Sequence, residues 1–324
     1  MQPNLIDRFR RKLSSYRRRR RERKEKNRET RKREFKRSRD LYILLAPYFF
    51  LFFLFTMLPV AISLIFSFTY FNMLEFPRFA GWENYRRLFF EDDVFLIAIR
   101  NTIMFAVITG PLGYLGSFVF AWLVNELKPK VRSVMTLIIY APSISGGAYI
   151  IWSLIFSGDM YGYANSILIR LGIILEPIQW LQNPTYIPFI IILVQLWLSL
   201  GVSFLAFIAG LQSVDRTLYE AGAVDGIKNR WQELWYITLP SIKPQLMFSA
   251  VIQITASLAI AEVAMNIAGF PSVEYAGHTI VTHLIDVGNL RFEMGYASAI
   301  ATILFVMMLG SNLIVQKMLR RVGT

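Results

Sequence analysis

The sequence has no cysteine and only two histidines among its 324 residues. Disulfides and thiolate metal sites are therefore excluded, and the redox compartment cannot be read from it. It also lacks a Gly-x-x-x-x-Gly-Lys-Ser/Thr phosphate loop, so it has no device of that kind for holding a nucleotide. Charge is scarce over most of the chain. Residues 1–40 hold 19 Lys and Arg against 6 Asp and Glu, a balance of +13 that equals the net charge of the whole, so the other 284 residues are neutral. The basic character is thus confined to a tail.

What the chain has in quantity is long apolar runs. A helix rises about 1.5 Å per residue and the hydrocarbon layer is about 30 Å thick, so a spanning segment needs roughly 20 mostly apolar residues. Six stretches qualify, from Leu41 to Tyr70, Leu96 to Val124, Ser133 to Phe156, Pro188 to Gly210, Pro244 to Ala268 and Met294 to Lys317. The first is too long for a signal-peptide core and has no small-residue cleavage site behind it, so it reads as a retained helix. The expected fold is all-α, a polytopic membrane protein with a cytoplasmic tail over residues 1–40 and a membrane domain over 41–324. Pro142, Gly146 and Gly147 should break the third span. Gly110, Gly113 and Gly116 recur every three residues in the second and predict close helix packing.

Lys and Arg set the orientation, because positively charged short loops stay inside. With the tail inside, Lys128, Lys130 and Arg132 fall in one cytoplasmic loop, Arg216, Lys228, Arg230 and Lys243 in another, and Arg320 and Arg321 at the cytoplasmic C-terminus. The opposite loops are acidic, with Glu91, Asp92, Asp93, Asp159, Glu274 and Asp286 among their residues. The tail reads as a topology determinant that attracts anionic membrane lipid. It lacks the aromatic interleaving of a nucleic-acid binder, so no nucleic-acid partner is expected. In the outer loop 158–187, the apolar patch Ile167 to Leu175 is too short to span and predicts an interfacial helix.

The longest inner loop, 211–243, is not a plain solvated connector. Leu218, Ala221, Val224, Ile227, Trp231, Leu234 and Trp235 recur among charges at helical spacing, which predicts two short amphipathic helices broken near Gly226. Small residues at Ala221, Gly222 and Ala223 would let a partner approach the backbone, and Glu220 and Asp225 offer charge partners.

The order Glu220-Ala221-Gly222, three residues, Gly226, a spacer, then Ile237-x-Leu239-Pro240 resembles the motif of the membrane subunits of bacterial ATP-binding-cassette importers. Gly222 stands where that family usually has Ala, and ten residues separate Gly226 from Ile237 where nine are common. Shorter patches point to the carbohydrate branch similar to maltose and glycerol-phosphate permeases: Leu58-Pro59, Gly81-Trp82-Glu83-Asn84, Asn101-Thr102 and Tyr140-Ala141-Pro142-Ser143. The resemblance implies a type I importer permease fold in the bacterial cytoplasmic membrane. It implies coupling to an ATPase through Glu220, Ala221, Gly222, Asp225, Gly226, Ile237, Leu239 and Pro240. The implied partners are a second, homologous permease forming a heterodimer, two ATP-binding-cassette ATPase subunits and an extracytoplasmic solute-binding protein. No cofactor belongs to this chain; ATP and Mg would sit on the ATPase subunits, so the subunit itself is not expected to be an enzyme.

A sugar pathway needs hydroxyl-pairing groups and aromatic faces at mid-membrane depth, where polar groups are costly unless used. Candidates are Tyr140, Ser143, Gln195, Trp197, Ser199, Gln253, Ser257, Glu262 and Asn266. Of these, Gln195-Leu196-Trp197 with Ser199, and Tyr140 with Ser143, match sugar-facing stretches of the maltose-type permease. Each could equally make an interhelical hydrogen bond. His278 and His283 sit five apart in an outer loop without a metal-ligand motif, and no metal site is expected. Glu91, Asp92 and Asp93 suit a helix N-terminus. An ion-driven transporter or channel would carry more ionisable residues inside its spans than Glu262, and a membrane enzyme would show a His/Asp cluster at one depth, which the sequence does not reveal.

Overall fold

The computed structural model describes residues 39–319, so the tail expected over residues 1–40 lies outside the described residues except for the start of the first helix. Five helices are long and apolar enough to cross a membrane, or six if one sharply bent pair counts as a single span. The first is α1 (Leu41–Phe66). It carries a π turn at Phe53–Met57. Pro59 follows two residues later, and the widened turn moves the preceding carbonyls away from its ring. The chain divides into two units between Ile62 and Ser63.

In the larger unit, a two-residue hairpin pairs β1 (Thr69–Tyr70) with β2 (Arg78–Phe79) and leads into the short helix α2 (Glu83–Phe90). The central element is α3 (Asp93–Asn125), 33 residues or about 50 Å of helix. Its small residues face its neighbours, as the glycine spacing predicts. A side chain on Gly113 would collide with Gln253 and with Ser199, and one on Gly110 would press on Ser257 at 3.3 Å.

The third span is α4 (Pro129–Ile144) and α5 (Tyr149–Ile155), bent by 85° where Pro142, Gly146 and Gly147 remove the helical ladder. The helix expected at Ile167–Leu175 lies earlier, as α6 (Tyr163–Arg170). Gly172, at φ +67, ends it in a Schellman turn: the Ile173 amide donates to the Leu168 carbonyl and the Gly172 amide to that of Ile169. Leu171 to Leu175 therefore leave the helix.

The fourth span, α7 (Ile187–Ser199) and α8 (Val202–Ser213), is interrupted at Gly201, where the backbone passes so close to Ser143 that a Cβ would clash. Beyond the inner loop comes the fifth span, α9 (Lys243–Leu258) and α10 (Glu262–Ala268), interrupted at Ala259–Ala261. The short helix α11 (Ile280–Ile285) and the span α12 (Met294–Leu319) complete the described residues. Three buried clusters lie along α3. Phe95 and Ala98 pack with Ile280, Val287 and Ile300 at one end; Phe105 packs with Ile190 and Val263; Ala121 packs with Phe204, Phe207 and Leu246 at the other.

Candidate functional site

The loop between the fourth and fifth spans holds a helix, Arg216–Val224, and a second turn, Arg230–Glu233. Asp215 caps the first, its carboxylate accepting from the Thr217 amide at 3.0 Å, and that bond holds the carboxyl below its ordinary range. Gly226 ends it at φ +94. The Ile227 amide donates to the Gly222 carbonyl at 2.9 Å and the Gly226 amide to that of Ala223 at 3.3 Å, a complete Schellman turn. The glycine of the motif is thus a conformational requirement, since a residue with a Cβ pays for positive φ.

The eight residues singled out in this loop fall into two groups. Glu220, Ala221 and Asp225 face outward with Leu218 and Val224. Gly222 is buried, and a methyl there would meet Ile237 Cδ1 at 2.6 Å and Ile227 Cδ1 at 3.1 Å. A methyl at position 222 would therefore require the ends of these two isoleucine side chains to shift. Ile237 is buried within a second π turn, Leu234–Thr238, which precedes Pro240 just as the first precedes Pro59. Leu239 and Pro240 are half-buried. A hydrogen bond of 2.9 Å between the Tyr219 and Thr238 hydroxyls ties the two halves of the loop together.

The loop is also fixed to α3. Arg230 donates to Glu126 at 2.7 Å and to Glu233 at 3.0 Å, and Trp231 lies against Trp122 with ring centres 5.3 Å apart. The hydrogen bond to Glu233, then the charge of Glu126, raises the Arg230 pKa. An exposed amphipathic helix on a braced base, with charges beside its apolar residues, is suited to dock into a groove of another protein.

The candidate pathway residues do not gather into one site. Gln253 is buried, donates to the Thr109 carbonyl at 3.3 Å, and packs against Gly113, as does Ser199. It lines a cavity of about 460 Å³ with Ser257, Gly110, Tyr114 and Ser311; the other candidates lie outside that cavity. Ser143 sits beside Gly201, one turn from Tyr140, and its hydroxyl donates to the Tyr140 carbonyl at 2.7 Å. Gln195 is half-buried, and Trp197 starts a chain of rings through Trp152, Phe156, Trp180 and Tyr186, with successive centres 5.1–6.1 Å apart. Glu262, expected inside the fifth span, opens α10 just after the interruption and is exposed, where the helix dipole favours a carboxylate. Asn266 donates to the Glu262 carbonyl at 2.7 Å, within its own helix.

At the other end of α3, the structure assembles what the sequence did not reveal. His278 and His283 are 2% and 1% exposed. Their rings meet at 3.3 Å (Nε2 to Nδ1), and His283 Nε2 reaches Asp92 Oδ2 at 3.1 Å. Asp92 caps α3, accepting from the Phe95 amide at 2.8 Å and from the Tyr296 hydroxyl at 2.7 Å. Burial pushes the Asp92 carboxyl up, but the bonds from His283, Tyr296 and Phe95 outweigh it and hold the group below the ordinary carboxylate range. Arg87 lies 4.2 Å from the centre of the Tyr296 ring and pairs with Glu293. The Thr279 hydroxyl caps α11 and donates to the Ile260 carbonyl at 2.6 Å, a carbonyl released by the break in the fifth span. Asn101 and Thr102 bind the same segment: the Asn101 amide donates to the His278 carbonyl and the Ile280 amide to the Thr102 hydroxyl, each at 2.9 Å. With both rings closed to solvent and no nucleophile beside them, this cluster offers no cleft for chemistry. Among the described residues no group of three or more His, Asp or Glu has the geometry to hold a metal.

A family model described as "Binding-protein-dependent transport system inner membrane component" matches residues 113–324. The chain is 31% identical over 282 residues to "Probable ABC transporter permease protein YesP" of Bacillus subtilis, covering 84% of this chain and 89% of that one. It is 28% identical over 288 residues to "Lactose transport system permease protein LacF" of Rhizobium radiobacter, covering 86% and 93%. Among solved structures, it matches a chain of a bacterial alginate ABC transporter in complex with alginate pentasaccharide-bound periplasmic protein, with a TM-score of 0.73 and 25% identity over 90% of this chain and 98% of that one.

Proposed function

Since the chain belongs to the family of binding-protein-dependent transport system inner membrane components, we infer that it is the translocating permease subunit of an ATP-driven importer for a sugar or oligosaccharide. The spans alternate between inward-open and outward-open arrangements as the loop 211–243 is driven by ATPase subunits. The observation that carries this reading is the braced, outward-facing helix Arg216–Val224 with its Schellman glycine.

In this account Glu220, Ala221 and Asp225 contact the ATPase. Gly222, Gly226, Ile237, Leu239 and Pro240 hold the contacting helix in place. Arg230 and Trp231 pass its displacement to the inner end of α3, a rigid element that runs to the opposite end of the bundle. ATP and Mg sit on two ATPase subunits. A second, homologous permease completes the pathway as a heterodimer, and an extracytoplasmic binding protein delivers the solute. The site is the bacterial cytoplasmic membrane. The relatives' lactose and alginate cargoes support a carbohydrate. Gln253 beside its cavity, Tyr140 and Ser143 at the third-span break, and Gln195, Trp197 and Ser199 in the fourth span would meet its hydroxyls and ring faces. Glu262 and Asn266 would stand at the outer mouth.

The test is uptake in vesicles holding the complete complex. Glu220→Lys and Gly226→Pro should each abolish ATP-dependent uptake while the protein still reaches the membrane; proline fixes φ near −65° and removes the amide that closes the turn, at about 3 kcal/mol or more. Uptake at the wild-type rate in both variants would reject the role of the loop. Uptake driven by an ion gradient without ATP would instead favour a secondary transporter.

A further inference from the structure

The polar cluster at the end of α3 remote from the loop 211–243 takes no part in the function just described, and with both imidazoles neutral its hydrogen bonds have one consistent order. The Asp92 carboxylate can only accept, so His283 donates to it from Nε2. The remaining nitrogen of a neutral His283, Nδ1, is then an acceptor, and His278 donates to it from Nε2. This leaves His278 Nδ1 as a bare lone pair, buried and without a partner. Every other polar group in the cluster is satisfied. Such an atom is a place where one more proton can bind but cannot be hydrogen-bonded in the closed structure.

The rings around it close the atom off from solvent. Phe270 stacks on His278 and Tyr275 meets it edge-on, with centres 6.1 Å and 5.3 Å away, and Phe95 covers His283 at 5.8 Å. The charged groups facing it come from every element packed there. Asp92 of the α3 cap and Asp286 favour a proton on His278, and Arg291 opposes it, though Arg291 is paired to Asp286. The Arg87–Glu293 pair lies beyond Tyr296, on the far side of Asp92. Tyr296 is spent as a donor to Asp92.

We propose that Asp92, His283 and His278 form a proton-released clamp: with His278 neutral, the three hold the start of α3, the helix α11 and the start of α12 as one body, and a proton on His278 Nδ1 undoes that seam. Asp92 and His283 are positioning residues here. The proton acts by placing an N–H with no acceptor, and a positive charge, among the rings of Phe270 and Tyr275. The seam must part to hydrate it. In accord with that geometry, burial first and then the neighbouring His283 push the His278 imidazole down from its usual range to about 4. For a base whose pKa falls on folding, the stability it contributes is complete above about pH 6.5 and is lost as pH falls from there toward about 4. Asp92 does not produce the change between about pH 7.5 and about pH 5, because its own stabilising contribution is lost only as pH falls into the ordinary carboxylate range and beyond. The seam is therefore closed at neutral pH and loosens in mild acid.

Hydrogen exchange on the full chain in lipid nanodiscs tests this. Between about pH 7.5 and about pH 5, after correction for intrinsic exchange, amides of residues 279–290 in the wild type should lose about tenfold in protection, while His278→Gln, which can still donate to His283 but does not titrate, changes less than about twofold. A flat wild type, or an equal loss in His278→Gln, overturns the proposal. A measurement on the unaltered chain guards against a variant that does not fold. With only two histidines, labelled imidazole carbons give two signals; the one assigned to His278 should report the Nε2–H tautomer and titrate well below pH 6.5, and a midpoint at or above that value overturns the clamp.

Discussion

At the end of α3 nearest the inner loop, Arg230, Glu126 and Glu233 meet with side chains 63%, 44% and 28% exposed, in reach of water and salt. At the opposite end, Asp92 and His283 meet at 15% and 1% exposure among aromatic rings. The same helix is thus pinned by a wet joint at one end and a dry one at the other. Exposed ion pairs contribute little and break readily, whereas a buried hydrogen-bonded group is costly to orphan. The difference teaches where motion belongs: the wet end can be displaced by a partner and reform, while the dry end keeps its elements together unless its protonation changes.

Substitutions can sharpen that contrast. The largest effect should come from Asp92→Ala, which removes the cap of α3 and strands the His283 N–H and the Tyr296 hydroxyl; the loss should be about 3 kcal/mol, read as a fall in the denaturation midpoint of the chain in detergent. A midpoint within error of the wild type would show that the dry joint carries no weight. Gly226→Ala should cost about 1 kcal/mol, confined to the loop, because only the positive φ is at stake and nothing crowds the site. It should lower solute-stimulated ATP hydrolysis by the complete complex, and Gly226→Asn should restore part of it. Arg230→Ala should be the mildest, about 0.5 kcal/mol, diminishing further in high salt. A loss from Arg230→Ala as large as that from Asp92→Ala would erase the distinction between the two ends.

The spans were legible because lipid demands long apolar runs. Their ends agree within a few residues, as with Met294–Leu319 against the expected Met294 to Lys317. The break in the third span was legible too, since Pro142, Gly146 and Gly147 remove helical bonds wherever they stand. The breaks at Gly201 and Ala259–Ala261 were hidden. One arises from a close approach to Ser143, and the other has its released carbonyl taken by Thr279, and both are tertiary causes. The helix in the outer loop was misplaced because apolar content was followed past Gly172, whose backbone ends it.

In the inner loop the break at Gly226 was readable, but the sorting of its residues was not. Gly222 turns inward and Glu220 outward, which depends on Ile237 arriving from the second half. The Asp92–His283–His278 chain could not have been found by spacing, because its members are separated by up to 191 residues. The one available hint was an acidic residue placed to cap α3.

The hydrogen bond from Thr279 to the Ile260 carbonyl joins two elements mechanically. It works as a rivet between a joint within the fifth span and the cap of the short helix α11. Straightening that joint would reclaim the Ile260 carbonyl for its own helix and pull the rivet out, so flexure of the fifth span and anchorage of α11 are geared to each other through a single hydroxyl group.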